Sequence, residues 1–216
     1  MPAPSMIANV SILPVHRDPS FGDGEGVFDV AIENGRIAMV EEAGKVCDMA
    51  FEGGRIDAGD GLLFPTFADM HTHLDKGHIW PRAANPDGSF AGALEAVRAD
   101  REANWSAGDV EARMEFALRC AWAHGTSAVR THLDSSPPQH RISFPVFAAM
   151  RERWAGRIEL QGVALATPDR LEGREGEDVA RVCAEHGGIM GGVPFDTASL
   201  RQEVERVEES REEIVV

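Results

Sequence analysis

The chain has 216 residues, 43% of them hydrophobic, which is enough for one large domain or for one domain with a small second one. Its formal net charge of -15 argues against nucleic acid or an anionic membrane surface as a partner, and favours a small neutral or cationic ligand. The three cysteines form no C-x-x-C pair, and no signal peptide or membrane-length apolar stretch occurs, so a soluble cytoplasmic protein is expected.

The first sixty residues predict short strands joined by turns. Residues 6–15 are apolar and partly alternating, and residues 27–40 alternate on both sides of Asn34-Gly35, the strongest short hairpin signal. A further strand is expected through residues 53–64, with its glycines forming turns. This region predicts a small β layer, not a complete domain.

From Phe64 onwards, apolar strands alternate with helical patterns. Strands are predicted at residues 67–71, 126–134, 158–166 and 188–195, and helices at residues 89–105, 106–125, 144–156, 176–187 and 198–215. Four β/α units in succession indicate a parallel sheet with helices packed outside it. An open doubly wound sheet would favour a glycine-rich phosphate-binding turn, and none occurs, so we expect part of a (β/α)8 barrel.

Two histidines, His71 and His73, stand at the end of the first of these strands. Side chains at positions i and i+2 of a strand point to the same side, and at the end of a barrel strand that side is the interior. Two imidazoles can then converge on one zinc, iron, copper or nickel ion. The alternative is one buried histidine and one that faces solvent. The apolar strand before the pair and the β/α pattern after it favour the metal site.

The sequence around this pair resembles a known family. "FADMHTHLD" is similar to the first-strand metal motif of the amidohydrolase superfamily, and "GLLFPTFADMHTHLD" resembles the passage from its β-sandwich into its barrel. "VRTHLD" and "ELQGVALA" resemble the cytosine deaminase branch, which includes isocytosine and triazine-type aminohydrolases. The resemblance implies a partial β-sandwich in residues 1–62 and the first four β/α units of an incomplete barrel in residues 63–216.

The resemblance also implies a chemistry, namely hydrolytic deamination of a small cytosine-like N-heterocycle at one divalent zinc or iron ion. It makes His71 and His73 metal ligands, and it matches Gln161 to a glutamine that binds the ring. An amide offers the donor and the acceptor that such a ring edge needs, although a neighbouring strand or loop could satisfy Gln161 instead. The predicted fourth strand lacks the lysine of binuclear relatives, which indicates a mononuclear site. Lys76 is expected to face solvent.

Several further side chains near the predicted strand ends are weaker candidates. His132 and Asp134 end the second strand and could orient a ligand, but satisfying neighbouring loops is the preferred interpretation. His78 and Trp80 follow the metal motif and could line a pocket. His124 is expected to cap the end of a helix.

Other parts that the family requires are not found in the sequence. Members are expected to have a histidine and an acid/base glutamate on the fifth strand, a histidine on the sixth and a metal-binding aspartate on the eighth. Two histidines alone leave a catalytic metal under-coordinated. We therefore expect the N-terminal half of an amidohydrolase, from a truncated or frameshifted gene, that is inactive alone. Alternatives are a cyclic amide or amidine hydrolase of the same superfamily, and a non-catalytic half-barrel that forms a homodimer or binds another subunit.

Overall fold

The protein divides into two compact units, residues 1–65 and 66–216. The computed structural model describes residues 3, 5–22, 25–45, 51–167, 170–171, 173–193 and 201. Within these ranges, no helix is both long enough and apolar enough to cross a membrane. The division into a sandwich segment and a barrel segment at residue 62 stays a prediction.

The first unit contains a four-stranded sheet in the order β3-β2-β1-β4. Its strands are β1 (Ser5–Ile12), β2 (Val27–Glu33), β3 (Arg36–Glu42) and β4 (Arg55–Leu63). The pairs β1-β2 and β2-β3 are antiparallel, whereas β1-β4 is parallel. The predicted hairpin is confirmed, since Asn34 and Gly35 join β2 to β3 with positive φ angles of 52° and 74°. A tight turn with two left-handed residues suits the twist of the strands.

Alternation along β1 builds the small core of this unit. Every second residue of β1 is buried, and two of these, Val10 and Ile12, cluster with Phe28 and Val30 of β2. The glycines within β4, Gly59 and Gly61, do not form turns as expected. The strand instead continues through Gly59, and its pairing with β1 shifts register there.

The second unit contains a three-stranded parallel sheet in the order β5-β6-β7 with helices between the strands. The strands are β5 (Phe67–Thr72), β6 (Thr126–Asp134) and β7 (Glu159–Leu165), and the helices are α1 (Phe90–Asn104), α2 (Ala107–Ala123), α3 (His140–Arg153) and α4 (Gly173–Glu185). The predicted mixed α/β class and the parallel pairing are thereby confirmed. Closure of the sheet into a barrel stays a prediction.

The core of this unit lies between the sheet and helices α2, α3 and α4. Its fully buried side chains come from both layers, among them Leu118 of α2, Leu133 of β6, Phe144 and Phe147 of α3, and Val179 of α4. Because parallel strands share one direction, Thr72, Asp134 and Leu165 end at the same edge of the sheet. This edge carries the candidate site.

Three elements differ from expectation. Helix α3 begins at His140, four residues before the predicted start, so Pro145 lies inside the helix and not in its first turn. The predicted fourth strand is represented by an isolated parallel bridge between Val163 and Ile189, and by a hydrogen bond from the Val193 amide to the Ala166 carbonyl. The predicted helix at residues 198–215 lies outside the described residues, apart from Arg201.

Candidate active site

The ends of β5 and β6 bring three histidines together. His71 is the next-to-last residue of β5, His73 follows the strand directly, and His132 lies near the end of β6. The ring centroids of His71 and His73 are 5.2 Å apart, and His132 lies 4.1 Å from His71 and 5.8 Å from His73. The two histidines paired by their spacing in the sequence are therefore neighbours in the structure as well.

One hydrogen bond determines how His73 can act. Its Nδ1 lies 3.0 Å from the backbone carbonyl oxygen of His132. A carbonyl oxygen only accepts, so Nδ1 carries the proton and donates it, which leaves the Nε2 lone pair available. Burial is the main cause that lowers the pKa of His73, so the ring is neutral near neutral pH. A neutral ring with one nitrogen fixed by a carbonyl is the usual form of a metal-ligating histidine.

His132 has a different geometry. Its ring stacks on that of His71 with an angle of 24° between the planes. The nitrogen lone pairs lie in the ring planes, so two stacked rings direct them alongside each other instead of to one point. Burial, followed by the neighbouring His71, lowers the pKa of His132. Among the residues that the structure describes, no group of three or more His, Cys, Asp and Glu side chains could hold a metal ion. The imidazoles of His71 and His73 have the donor chemistry for a metal, but they supply only part of a ligand set.

Beneath the histidines, a buried carboxyl group joins the ends of the two strands. Asp75 is fully buried, and its Oδ2 accepts hydrogen bonds from the Asp134 backbone amide at 2.8 Å and from Ser143 Oγ at 3.0 Å. Burial and, next, the charge of Asp134 raise the pKa of Asp75 to about 7. Asp75 thus fixes the backbone at the point where Asp134 leaves β6.

Asp134, at the end of β6, binds two cationic side chains. Its carboxylate accepts from Lys76 Nζ at 3.1 Å and from Arg101 Nη1 at 3.0 Å. The expectation that Lys76 faces solvent is therefore wrong, because its side chain is only 22% exposed. Asp134 fits the preferred interpretation of satisfying neighbouring segments, since it ties the loop after β5 to helix α1.

The loop after the H-x-H motif is anchored from α2. Arg113, buried on α2, donates from Nη1 to the Asp75 carbonyl and from Nη2 to Asp109 at 2.8 Å. Arg82 bridges Asp109 and Asp100, which also accepts from the Trp105 indole at 2.7 Å. This network was not predicted from the sequence. The i, i+4 spacing of Asp109 and Arg113 was the one signal for it.

A cavity of about 480 Å³ opens beside the histidines. Its lining combines the strand ends, the loop after β5 and one side of α1, and it includes His71, His73, His132, Lys76, Asp134, Thr167, Phe90, Leu94, Arg98 and Arg101. This volume lies within the range of about 300–1,000 Å³ that is usual for small-molecule sites. The contribution of α1 was not predicted from the sequence.

Gln161 lies away from this cavity. It belongs to the early part of β7, and its Oε1 accepts from Arg130 Nε at 2.9 Å and from Nη2 at 2.7 Å. The structure thus brings His71 and His73 together, whereas the Gln161 side chain is hydrogen-bonded to Arg130. Its predicted role in binding a ring stays a prediction.

The remaining candidates on loops and helix ends also have clear positions. His78 is exposed and packs edge-on against Phe116 at 4.8 Å, and Trp80 is exposed as well. His124 is the C-cap residue of α2, as expected, and its Nδ1 lies 2.7 Å from the Cys120 carbonyl.

The chain matches deaminases and an amidohydrolase. It is 57% identical to a pterin deaminase from Rhizobium rhizogenes (strain K84) over 166 residues, which are 76% of this chain and 37% of that protein. It is 25% identical over 201 residues to the N-isopropylammelide isopropyl amidohydrolase of Pseudomonas sp. (strain ADP), covering 88% of this chain and 47% of that protein. The chain thus spans less than half the length of these curated relatives.

Solved structures share the fold. A 5-methylcytosine deaminase from Klebsiella pneumoniae, liganded with phosphonocytosine, superposes with a TM-score of 0.69 at 24% identity, over 90% of this chain and 45% of that protein. No family model matches the sequence.

Proposed function

We propose that the chain is part of an amidohydrolase-superfamily enzyme, a metal-dependent hydrolase that deaminates a pterin or a similar N-heterocycle. The observation that carries the chemistry is the pairing of His71 with a neutral His73 whose Nε2 is left free by the hydrogen bond to the His132 carbonyl. The relative at 57% identity favours the pterin ring over the cytosine ring predicted from the sequence.

In this proposal, His71 and His73 hold one divalent ion, zinc or iron, as imidazole ligands do. When bound, such an ion lowers the pKa of coordinated water, so that hydroxide is available near neutral pH. The His132 carbonyl keeps the His73 ring oriented, and Asp75 keeps the ends of β5 and β6 in register. The overall reaction replaces the amino group of the ring by oxygen from water and releases ammonia.

The two imidazoles do not complete a site of this kind. Catalytic metal sites normally have three protein ligands, and the described part of the chain offers no such set. We propose that the further ligand and the acid/base carboxylate come from additional strands that pair with the sheet and close a (β/α)8 barrel. The exposed apolar side chains of β5, Phe67 and Met70, support this proposal, because β5 forms an edge of the described sheet and such strand edges are usually covered.

A hybrid enzyme tests the proposal. The chain replaces the matching region of the Rhizobium pterin deaminase, and ammonia release from pterin is measured after loading with zinc. We expect an active hybrid, a loss of at least about a hundredfold in kcat/KM for His71→Ala, and no change for His124→Ala, which removes a helix-capping histidine outside the site. The 216-residue chain alone should release no ammonia.

Two results would contradict the proposal. One is a folded, zinc-loaded hybrid that leaves pterin unchanged. The other is ammonia release by the isolated chain that His71→Ala abolishes, since this would show a complete site within it. A ring-opened product without ammonia would favour the cyclic amide hydrolase instead.

A further inference from the structure

One side of helix α1 forms a wall of the cavity. Phe90, Leu94, Val97, Arg98 and Arg101 line it, and their spacings of four, three, one and three residues place them along one stripe of the helix. Val97 packs against the main core, whereas Phe90 and Leu94 are 70% and 47% exposed. The apolar part of this wall therefore faces the cavity instead of a packed layer.

The lining of the cavity is cationic, although the chain as a whole carries a net charge of -15. Lys76, Arg98 and Arg101 contribute three positive charges, and Asp134 is the one acidic residue among the described lining residues. The net charge of the chain predicts a neutral or cationic ligand, but the local charge of the cavity predicts an anionic group.

The three cations are not equally available. Lys76 and Arg101 share the carboxylate of Asp134, which is largely buried, so both are held in place. Arg98 donates from Nε to Glu102 at 3.2 Å, one turn further along α1, and both side chains are about two-thirds exposed. An exposed pair at i, i+4 contributes little stability, and a guanidinium has five N–H donors. The Arg98 guanidinium group can therefore rotate towards a ligand at a small cost in free energy.

We propose that Arg98 binds an anionic substituent, of the carboxylate class, on the heterocycle that occupies this cavity. The proposal rests on the proposed function, because it assumes that the ring itself lies beside His71 and His73. In this arrangement Phe90 and Leu94 contact the apolar face of the ligand, and Arg98 engages the carboxylate through two parallel N–H donors. The positive charges of Lys76 and Arg101, which line the same cavity, also favour an anionic group electrostatically.

Binding of two ligands that differ by one carboxylate tests the inference. Equilibrium dialysis of the full 216-residue chain with pterin and with 6-carboxypterin, at low ionic strength, gives the ratio of their Kd values. We expect 6-carboxypterin to bind at least roughly fivefold more tightly, with a preference that shrinks as salt is added. Arg98→Gln should remove most of that preference by weakening the binding of 6-carboxypterin, and Arg98→Lys should keep part of it.

Arg119→Gln is the matched control. Arg119 lies on α2, is 72% exposed against 67% for Arg98, and also pairs with one glutamate four residues away, but it does not line the cavity. Its loss changes the net charge equally and should leave the ratio unchanged. Equal affinities for the two ligands, or equal effects of Arg98→Gln and Arg119→Gln, would overturn the inference while the proposed function stands. Failure of both ligands to bind this chain would also overturn the inference, whereas the proposed function, in which further strands complete the site, is tested separately by the hybrid enzyme.

Discussion

A single carbonyl oxygen gives His73 its chemical form. The spacing of His71 and His73 on a strand predicted that the two side chains lie on one side. It did not show which nitrogen of His73 remains free, since this depends on the His132 carbonyl, 59 residues further along the chain. The partner is set by the parallel pairing of β5 with β6, which aligns Thr72 with Thr131. A residue's protonation state is in this way determined by long-range strand pairing, which single-sequence patterns do not specify.

Asp75 predicts an unusual pH dependence of stability. Its folded pKa of about 7, raised first by burial, lies above the unfolded value of 3.8, so the folded state retains a proton that the unfolded state loses. The contribution of Asp75 to stability is therefore fully present below the unfolded value and is lost as the pH rises through about 7. Urea unfolding of Asp75→Asn from pH 4 to pH 8 should lack this decline.

Asp87 provides a control of opposite sign. It is exposed, and hydrogen bonds from Ser89, first from the backbone amide, lower its pKa. Its contribution is present above the unfolded value and is lost as the pH falls through the lower folded value. Asp87→Asn should therefore leave the loss of stability between pH 4 and pH 8 in place. An identical pH profile for wild type and Asp75→Asn would contradict the account of Asp75.

At the scale of elements, the packing of α3 against β7 holds the sheet edge in place. Gly162 lies in β7 directly beneath Phe147 of α3, and a Cβ at residue 162 would come within 2.8 Å of the buried ring. Gly162→Ala should destabilise the protein by about 1–3 kcal/mol, because the ring cannot move without disturbing a packed core. The shift of the urea midpoint, at unchanged slope, measures this effect.

Gly108→Ala is the corresponding control within α2. A Cβ there would meet nothing within 4 Å, and alanine has a higher helix propensity than glycine. This variant should be as stable as the wild type or slightly more stable. Destabilisation of similar size in both variants would show that the effect at Gly162 does not come from Phe147.

The order of strands and helices could be predicted because each element has a strong local signal. Strand β6 was predicted at its observed bounds, and Ser89 and Ser106 cap α1 and α2 by accepting from the amides of Gly92 and Asp109. The start of α3 was missed because Gln139 makes no side-chain cap and Pro145, usually found near a helix start, lies six residues in. The stripe on α1 was missed because apolar residues at helical spacing normally indicate core packing.

For the whole molecule, the distribution of charge matters more than its sum. The chain is strongly acidic, yet the cavity beside the histidines is lined by three cations and one carboxylate among its described residues. Exclusion of nucleic acid and membranes from net charge alone stays a prediction. The curated relatives are longer than this chain, and we propose that the two imidazoles belong to a larger catalytic unit.

The central claim is that His71 and His73 hold a metal ion, and zinc titration of the purified chain near neutral pH tests it most directly. The matched variants are His71→Ala/His73→Ala and His124→Ala/His186→Ala, which remove the same number of imidazoles. His124 caps α2 and His186 directly follows α4, and neither lines the cavity. We predict one zinc ion per chain, bound more than about tenfold more weakly by the first variant and unchanged in the second. Equal zinc affinity in the wild type and in His71→Ala/His73→Ala would contradict the claim.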